Sequence, residues 1–465
     1  MATNYPNDLD PKNGISPIID TLGEDDVIHI FIHSLASLGE LAELEETLPG
    51  FEKYPERSLV IARADDIVCV SRGVDDEYLK FLSALGVGPK KENVIVVLKE
   101  PGTNMGGTLS ELLLTNHDVL RRIQKLVPDN KRIVLNLYIV VRADRTLVTM
   151  LEIILHRNVD LQGGNHDLVQ YINSKQNVRM KSLELEVPLA EGDIVELHLH
   201  EEGDRLDVTP ILAAINRYIV KTGKVIIRGI RGFSGFSTLV VDKNTDSIQE
   251  ALRKISERTD ERVYLVETMF DVIASPNILM QIEPDGGNIF CVSITDQILT
   301  NKLVHEGNIS PSNTKTIEGM LNSAREISKW LQAEGYRGLA GFDFGEYFST
   351  ETGELNYFLA EINPRTNGSA YPKFLMEHLN RIQIKKGRPS IEAFVSARLE
   401  TKADSFSELR ELYGHLFFNS ETGKGLVPYN TGCLEIGKFN IAVLGKSRRE
   451  VVSKYEHFKS LLAEE

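Results

Sequence analysis

One stretch constrains this chain more than any other: Gly341–Ser369, reading GFDFGEYFSTETGELNYFLAEINPRTNGS. Two apolar runs flank Thr352-Gly353, which predicts an antiparallel hairpin with its turn there. Folding the stretch about that turn puts Asp343 opposite Glu361. Side chains alternate along a strand, so Leu359, Glu361, Asn363 and Arg365 share one face, with Phe358, Ala360 and Ile362 on the other. Carboxylates in the middle of apolar strands are costly to bury unpaired. An Asp, a Glu and an Asn converging from paired strands offer hard oxygen donors, suited to Mg²⁺ rather than zinc. Arg365 adds a planar fork for a phosphate or carboxylate. A buried Asp/Glu–Arg network without a metal is the alternative that spacing alone leaves open.

The rest of the chain sets the context. Its 465 residues exceed what one core supports and call for about two to four domains. Hydrophobic residues make up 42%, enough for globular cores. The formal net charge of −15 argues against nucleic acid as a partner. Cys69, Cys291 and Cys433 are far apart and fit neither a disulfide framework nor a zinc site, which points to a reduced, cytoplasmic setting. Residues 1–26 read as a loose arm and not as a signal peptide. No apolar run is long enough to span a bilayer, so no membrane partner is expected.

From Val27 the pattern alternates. Val27–Ile32, Ser58–Ala62, Ile67–Val70, Asn93–Leu98 and Arg132–Val141 read as buried strands. Asp75–Leu85 and Thr108–Leu126 read as helices. Continuous β-branched runs between amphipathic helices predict a parallel sheet covered on both faces, an α/β domain over 27–164. In it, the loop Pro101–Gly107 could offer backbone N–H groups to an anion, although a plain loop before a helix explains it as well. Arg72 is a candidate substrate contact or a surface charge. Beyond about residue 145, helices are expected up to Pro188. Gly223–Arg228 and Leu239–Asp242 are strands joined by the glycine-bearing loop Gly229–Thr238, which could close over a triphosphate or be an ordinary hairpin loop. After Pro372 comes a helix, then strands around Gly425–Gly432 and Lys438–Leu444 and a helical tail, read as a small α/β cap over 376–465. The helix Ser323–Gly335, holding Trp330, should pack behind the hairpin.

The acid after Gly-Phe, followed by Glu-x-Asn-x-Arg on the next strand, resembles the metal-binding hairpin of ATP-grasp enzymes. The resemblance covers roughly 165–372. It implies an ATP-grasp domain over 165–375 (α+β in this core, α/β for the whole), preceded by a Rossmann-like parallel-sheet domain. The family's metal residues fall on Asp343, Glu361 and Asn363, which would hold Mg²⁺, with Mn²⁺ as an alternative, on ATP. Lys175 matches the family's phosphate-binding lysine at the start of a helix that runs into Val187-Pro188. The loop residues Gly232, Ser234 and Gly235 match the flexible phosphate loop of a lid spanning about 223–266. The family usually has lysine at the end of the lid's first strand, where this chain has Arg228. The strand Glu261–Asp271 resembles the hinge whose backbone reads adenine near Val266 to Met269, which makes Glu267, Met269 and Asp271 nucleotide-binding candidates and gives Asp271 the ribose. Lys302 and His305 match the position of substrate-facing basic residues. The resemblance thus implies Arg365, Lys302 and Arg228 as catalytic residues.

The flanks look like those of the pheganomycin-type peptide ligases. That implies a ligase in which ATP phosphorylates a carboxylate of an amino acid or peptide and an amine displaces the phosphate. Its partners would be small carboxylates and amines, with a homodimer left open. Two other readings stand beside it: a phosphotransferase of the same fold that stops at the phosphorylated product, and a non-catalytic nucleotide-binding protein.

Overall fold

The computed structural model describes residues 26–37, 48–98, 107–200, 205–230, 238–258, 260–284, 286–300 and 304–464. The arm up to residue 25, most of the Pro101 loop, Gly232, Ser234, Gly235 and Lys302 lie outside them.

The first layer is a parallel sheet of β1 (Val27–Ile32), β2 (Ile67–Val70), β3 (Val94–Val96), β4 (Arg132–Leu137) and β5 (Val159–Leu161). Its strand order is β3-β2-β1-β4-β5. The helices that cover it are α1 (Asp76–Leu85), α2 (Leu109–Thr115), α3 (His117–Leu126) and α4 (Arg142–Leu155). The parallel sheet is as expected from the β-branched runs, with three differences. Ser58–Ala62 is not a strand: Phe51–Val60 forms a 3-10 helix. Its buried residues run continuously, Tyr54 to Val60 among them, so the apolar run carried no helical or strand period to separate the two. The predicted helix 108–126 is two helices, because the Asn116 side chain caps a new start by accepting from the Val119 N–H. Finally, β5 lies where only helices were expected, since a three-residue strand is too short to show a period.

Two short helices follow, α5 (His166–Asn173) and α6 (Lys175–Glu184). A four-stranded antiparallel sheet in the order β6-β9-β7-β8 comes next. It consists of β6 (Gly192–Glu196), β7 (Lys224–Gly229), β8 (Thr238–Asp242) and β9 (Val263–Thr268), backed by α7 (Thr209–Thr222) and α8 (Thr245–Ser256). This unit has its own apolar cluster, built on Leu197, Ile215, Val225, Ile227, Val241 and Val266.

The remaining strands form one nine-stranded antiparallel sheet. They are β10 (Val272–Ala274), β11 (Pro276–Ile282), β12 (Ile289–Leu299), β13 (His305–Ser310), β14 (Gly338–Phe348), β15 (Leu355–Asn363), β16 (Ala393–Glu400), β17 (Gly425–Tyr429) and β18 (Lys438–Gly445). Helix α9 (Ile317–Ala333) packs on it, as do α10 (Ala370–Lys385) and α12 (Arg448–Ala463), while α11 (Phe406–Tyr413) packs on α1. Strands β16 to β18 continue this sheet from β13. Glu346 on β14 fixes the start of α9, where Oε1 accepts the N–H groups of Lys315 and Thr316 and the hydroxyls of Thr314 and Thr316. The apolar cluster behind the hairpin joins Phe342, Phe344, Leu359 and Ile362 to Ile278, Met320 and the parallel sheet.

Candidate functional site

The hairpin forms in the register that its turn dictates, with Asp343 opposite Glu361. One feature departs from simple alternation. Asp343 pairs with Glu361 but Phe344 pairs with Leu359, so Ala360 is an extra residue, a β-bulge. The bulge flips the face: Leu359 does not point with Glu361 but joins Ile362 in the core, and both are almost fully buried. It also turns the Ala360 carbonyl outward, where it accepts from Arg228 Nη1 at 3.1 Å.

Asp343 is wrapped in amides. Its Oδ1 accepts from Asn277 Nδ2 at 2.6 Å and from Gln297 Nε2 at 2.7 Å, and its Oδ2 accepts from Asn363 Nδ2 at 2.8 Å. Burial, and after it the charge of Glu361, push its carboxyl up to about 7. Glu361 behaves in the opposite way. Burial acts to raise it, but Lys175, Arg365 and Arg228 hold it below the usual carboxylate range. Lys175 Nζ lies 3.6 Å from Glu361 Oε1. This asymmetry between two facing carboxylates is set by where the cations lie. Gly341 makes room for the arrangement, since a Cβ there would stand 2.4 Å from Asn367 Nδ2 and 3.2 Å from Asn277 Nδ2.

Lys175 is the first residue of α6, whose N-terminus is capped by Ser174. Arg179 lies four residues on and so on the same helix face. Arg179 donates to Glu267 Oε1 at 2.9 Å, to the Ala190 carbonyl at 2.9 Å and to the Gly192 carbonyl at 2.8 Å. The other oxygen of Glu267 pairs with Arg228. Glu267 is thus clasped between two guanidiniums, and its side chain is only 5% exposed.

Asn173, Lys175, Arg179, Arg228, Glu267 and Glu361 form the polar wall of one open cleft, with Leu265, Leu359 and Ile362 among its apolar side chains, while Asp343, Asn363 and Arg365 do not line it. Met269 and Asp271 do not line it. The Met269 N–H donates to the Lys224 carbonyl at 3.2 Å, and the Thr268 N–H to that of Glu191 at 2.8 Å. Asp271 is exposed and meets Lys224 at 3.3 Å. Arg365 stands at the end of the hairpin, where Nη1 donates to Asn173 Oδ1 at 3.5 Å and Nε is buried without a partner among the described residues. His305 opens β13 next to Gly368, so it sits beside the segment that follows Arg365. Arg72 is exposed and 3.6 Å from Glu52, a surface charge.

Sequence reasoning missed Arg179, Asn277 and Gln297. The i,i+4 spacing from Lys175 was the available signal for the first. An amide at the start of the otherwise largely apolar strand Pro276–Ile282 was the signal for the second.

Residues 55–151 match the family model of the Pre ATP-grasp domain. Comparison with curated proteins gives no match. Among solved structures, the chain is similar to biotin carboxylase from Campylobacter jejuni in its β-γ-ATP complex, with a TM-score of 0.54 and 14% identity, covering 92% of this chain and 89% of that one. It is similar to carboxyaminoimidazole ribonucleotide synthase from Aspergillus clavatus complexed with ATP, with a TM-score of 0.52 and 12% identity over 94% of this chain and 99% of that one. It is also similar to N5-carboxyaminoimidazole synthetase from Staphylococcus aureus, with a TM-score of 0.51 and 12% identity over 94% and 98%. At these identities the likeness is one of fold. The chain carries a Pre ATP-grasp domain, and its architecture is the ATP-grasp fold. Among the described residues, no helix is long and apolar enough to cross a membrane.

Proposed function

We propose that this chain is an ATP-dependent carboxylate–amine ligase acting on an amino acid or a peptide. The observation that carries the reading is the convergence of Lys175, Arg228 and Arg365 on the hairpin where Asp343 faces Glu361. A carboxylate is a poor electrophile. Transfer of the γ-phosphoryl group to one of its oxygens releases ADP and gives an acyl phosphate. An amine nitrogen then attacks the acyl carbon, phosphate leaves, and the nitrogen loses a proton as the amide forms.

The residues fit a divalent cation. Two facing carboxylates, one of them raised to about 7 partly by the other, would be relieved by a hard cation between them. Glu361, Asp343 and the Asn363 side-chain oxygen would hold it. Mg²⁺ bound there would offset phosphate charge. Lys175 and Arg228 would bind the phosphates, and Arg365 would stabilise charge developing on the transferred group. The ion pairs Lys175–Glu361 and Arg228–Glu267 keep these cations aimed into the cleft. We take about 223–266, the part of the four-stranded sheet beyond β6, as the lid whose loop Gly229–Thr238 excludes water from the acyl phosphate, and read 27–164 as the domain before the ligase core and 376–465 as a small unit whose strands β16 to β18 extend the core sheet.

The test is a screen of pooled amino acids and peptides with Mg²⁺-ATP, measuring ADP and phosphate and weighing products by mass spectrometry. Amide product with stoichiometric phosphate supports the reading. Phosphorylated acid that no amine consumes replaces it with a phosphotransferase. Tight nucleotide binding with no turnover on any pool replaces it with a non-catalytic nucleotide-binding protein.

A further inference from the structure

The parallel sheet has the order β3-β2-β1-β4-β5, so its connections reverse direction between β1 and β4. In open sheets of this kind, ligands settle outside the carboxyl ends of the strands at such a reversal. Here the two strands are followed by His33 and Tyr138, and a narrow open cleft adjoins the second of them, lined by Tyr138, Gln162, Tyr336, Arg365 and Thr366 among others, with Arg57 outside its lining.

Arg57 lies beside Tyr138. It belongs to the 3-10 helix Phe51–Val60 and is only 8% exposed. Its guanidinium lies over the rings of Tyr54, Tyr371 and Tyr138, at 4.6, 4.8 and 5.4 Å from their centroids. Nε donates to the Tyr54 carbonyl at 3.3 Å, while Nη2 is buried with no partner among the described residues. The adjacent acid does not compensate it, because Glu56 accepts instead from the Thr431 hydroxyl and the Gly432 N–H. His33 offers no negative charge either: it bonds the Tyr371 hydroxyl at 2.8 Å and Asn136 Oδ1 at 3.1 Å.

A buried guanidinium is ordinarily paired with an acid, since desolvation of an unpaired charge is costly. Three aromatic faces offset part of that cost, but a face cannot satisfy an in-plane N–H. Arg365, which lines the same cleft as Tyr138, shows the same deficit, with its buried Nε unpartnered among the described residues. Both guanidiniums act on the Tyr138 phenol: burial raises it, and Arg365 and then Arg57 draw it below its usual value.

We propose that Arg57, with Tyr138 and Arg365, forms an anion site at the sheet's reversal point, and that Arg57 there reads a carboxylate on the substrate other than the one being activated. The claim that the ligand is a substrate rests on the ligase reading. The site itself rests on the buried Nη2 of Arg57, which has no partner among the described residues. The substrate class is thereby narrowed to acids or amines that carry a second, free carboxylate, such as amino acids and peptides joined with one carboxyl end left open.

The experiment compares pooled free amino acids and dipeptides with the same compounds as C-terminal amides, by saturation-transfer NMR on the full chain. Parent, Arg57→Met and Arg57→Lys are measured, with melting temperature and Mg²⁺-ADP affinity recorded for each. Free carboxylates should bind the parent about 10- to 100-fold tighter than their amides. Arg57→Met should abolish that preference, Arg57→Lys should keep part of it, and Mg²⁺-ADP affinity should be unchanged. If Arg57→Met does not fold, the preference in Arg57→Lys decides: a value equal to the parent's overturns the proposal. So does equal binding of acids and amides, or no binding by any free carboxylate in the pools. Loss of Mg²⁺-ADP binding in the parent would sink the ATP-site reading alone.

Discussion

Glu267 holds Arg179 on one carboxylate oxygen and Arg228 on the other, and so locks a helix residue and a strand residue to the same wall of the cleft. The sequence marks Glu267 only as a nucleotide candidate, and the geometry separates two roles for it. If it is the clasp, Glu267→Gln leaves two buried guanidiniums with one neutral partner and should cost about 3–5 kcal/mol. If its work is to bind nucleotide, stability should stay within about 0.5 kcal/mol and only nucleotide affinity should fall. Denaturant unfolding of parent and variant distinguishes them, and the packing predicts the large loss.

Asp343 gives a pH signature. Its folded pKa of about 7 lies above the unfolded value, because burial and Glu361 disfavour its charged form. The folded state therefore holds the proton more tightly. The resulting contribution is fully present below about pH 4, the unfolded pKa, and is lost as pH rises through 7. Each pKa unit is about 1.4 kcal/mol, so the loss is bounded at about 4 kcal/mol. Asp343→Asn cannot titrate. The stability of the variant minus that of the parent, measured without metal or nucleotide, should climb between pH 4 and 7. A flat difference would mean that Asp343 is charged throughout.

Legibility in the sequence followed the length of the pattern. The hairpin was readable because Asp343 and Glu361 are fixed by one turn and an alternation of two. Its bulge was not, because nothing in Leu359-Ala360-Glu361 announces that Ala360 will be skipped by the ladder. The parallel sheet was readable from long β-branched runs, while the three-residue β5 was not. Lys175 came from a resemblance in spacing. Arg179, Asn277 and Gln297 acquire meaning only through tertiary contacts between elements far apart in the chain. The same holds for Arg57, between Glu56 and Ser58, whose burial among tyrosines from three separate segments has no local signature.

Glu361→Gln separates chemistry from folding. The Glu361 side chain is 39% exposed, and its contact with the largely buried Lys175, at 3.6 Å, is a long ion pair with one end in solvent, worth about 1 kcal/mol. The variant should fold like the parent. Turnover should fall by ~100-fold or more, the scale of losing a preorganised electrostatic group at a reacting centre. Phosphate release and thermal unfolding on the same sample check both halves. Normal turnover with Mg²⁺-ATP would remove Glu361 from the metal site.

The last prediction concerns Arg228, where the family pattern has lysine. Its guanidinium pairs with Glu267 and donates to the bulge carbonyl of Ala360, so it uses both arms of the fork within the protein. Its Nε is buried and unpartnered among the described residues. A lysine ammonium could meet Glu267 but not Glu267 and Ala360 in one plane. Arg228→Lys should therefore keep the charge and lose the link between the four-stranded sheet and the hairpin. Arg228→Ala loses both and leaves Glu267 with Arg179 alone. If the guanidinium also meets a phosphate, alanine should cost about 1.5–3 kcal/mol, roughly ten- to a hundred-fold in ATP affinity or rate, and lysine less. Steady-state kinetics and ATP titration of both variants give the ranking parent, Lys, Ala. Should Arg228→Ala bind and turn over ATP like the parent, Arg228 is only the strut between lid and hairpin, and the phosphate site must rest on Lys175 and Arg365.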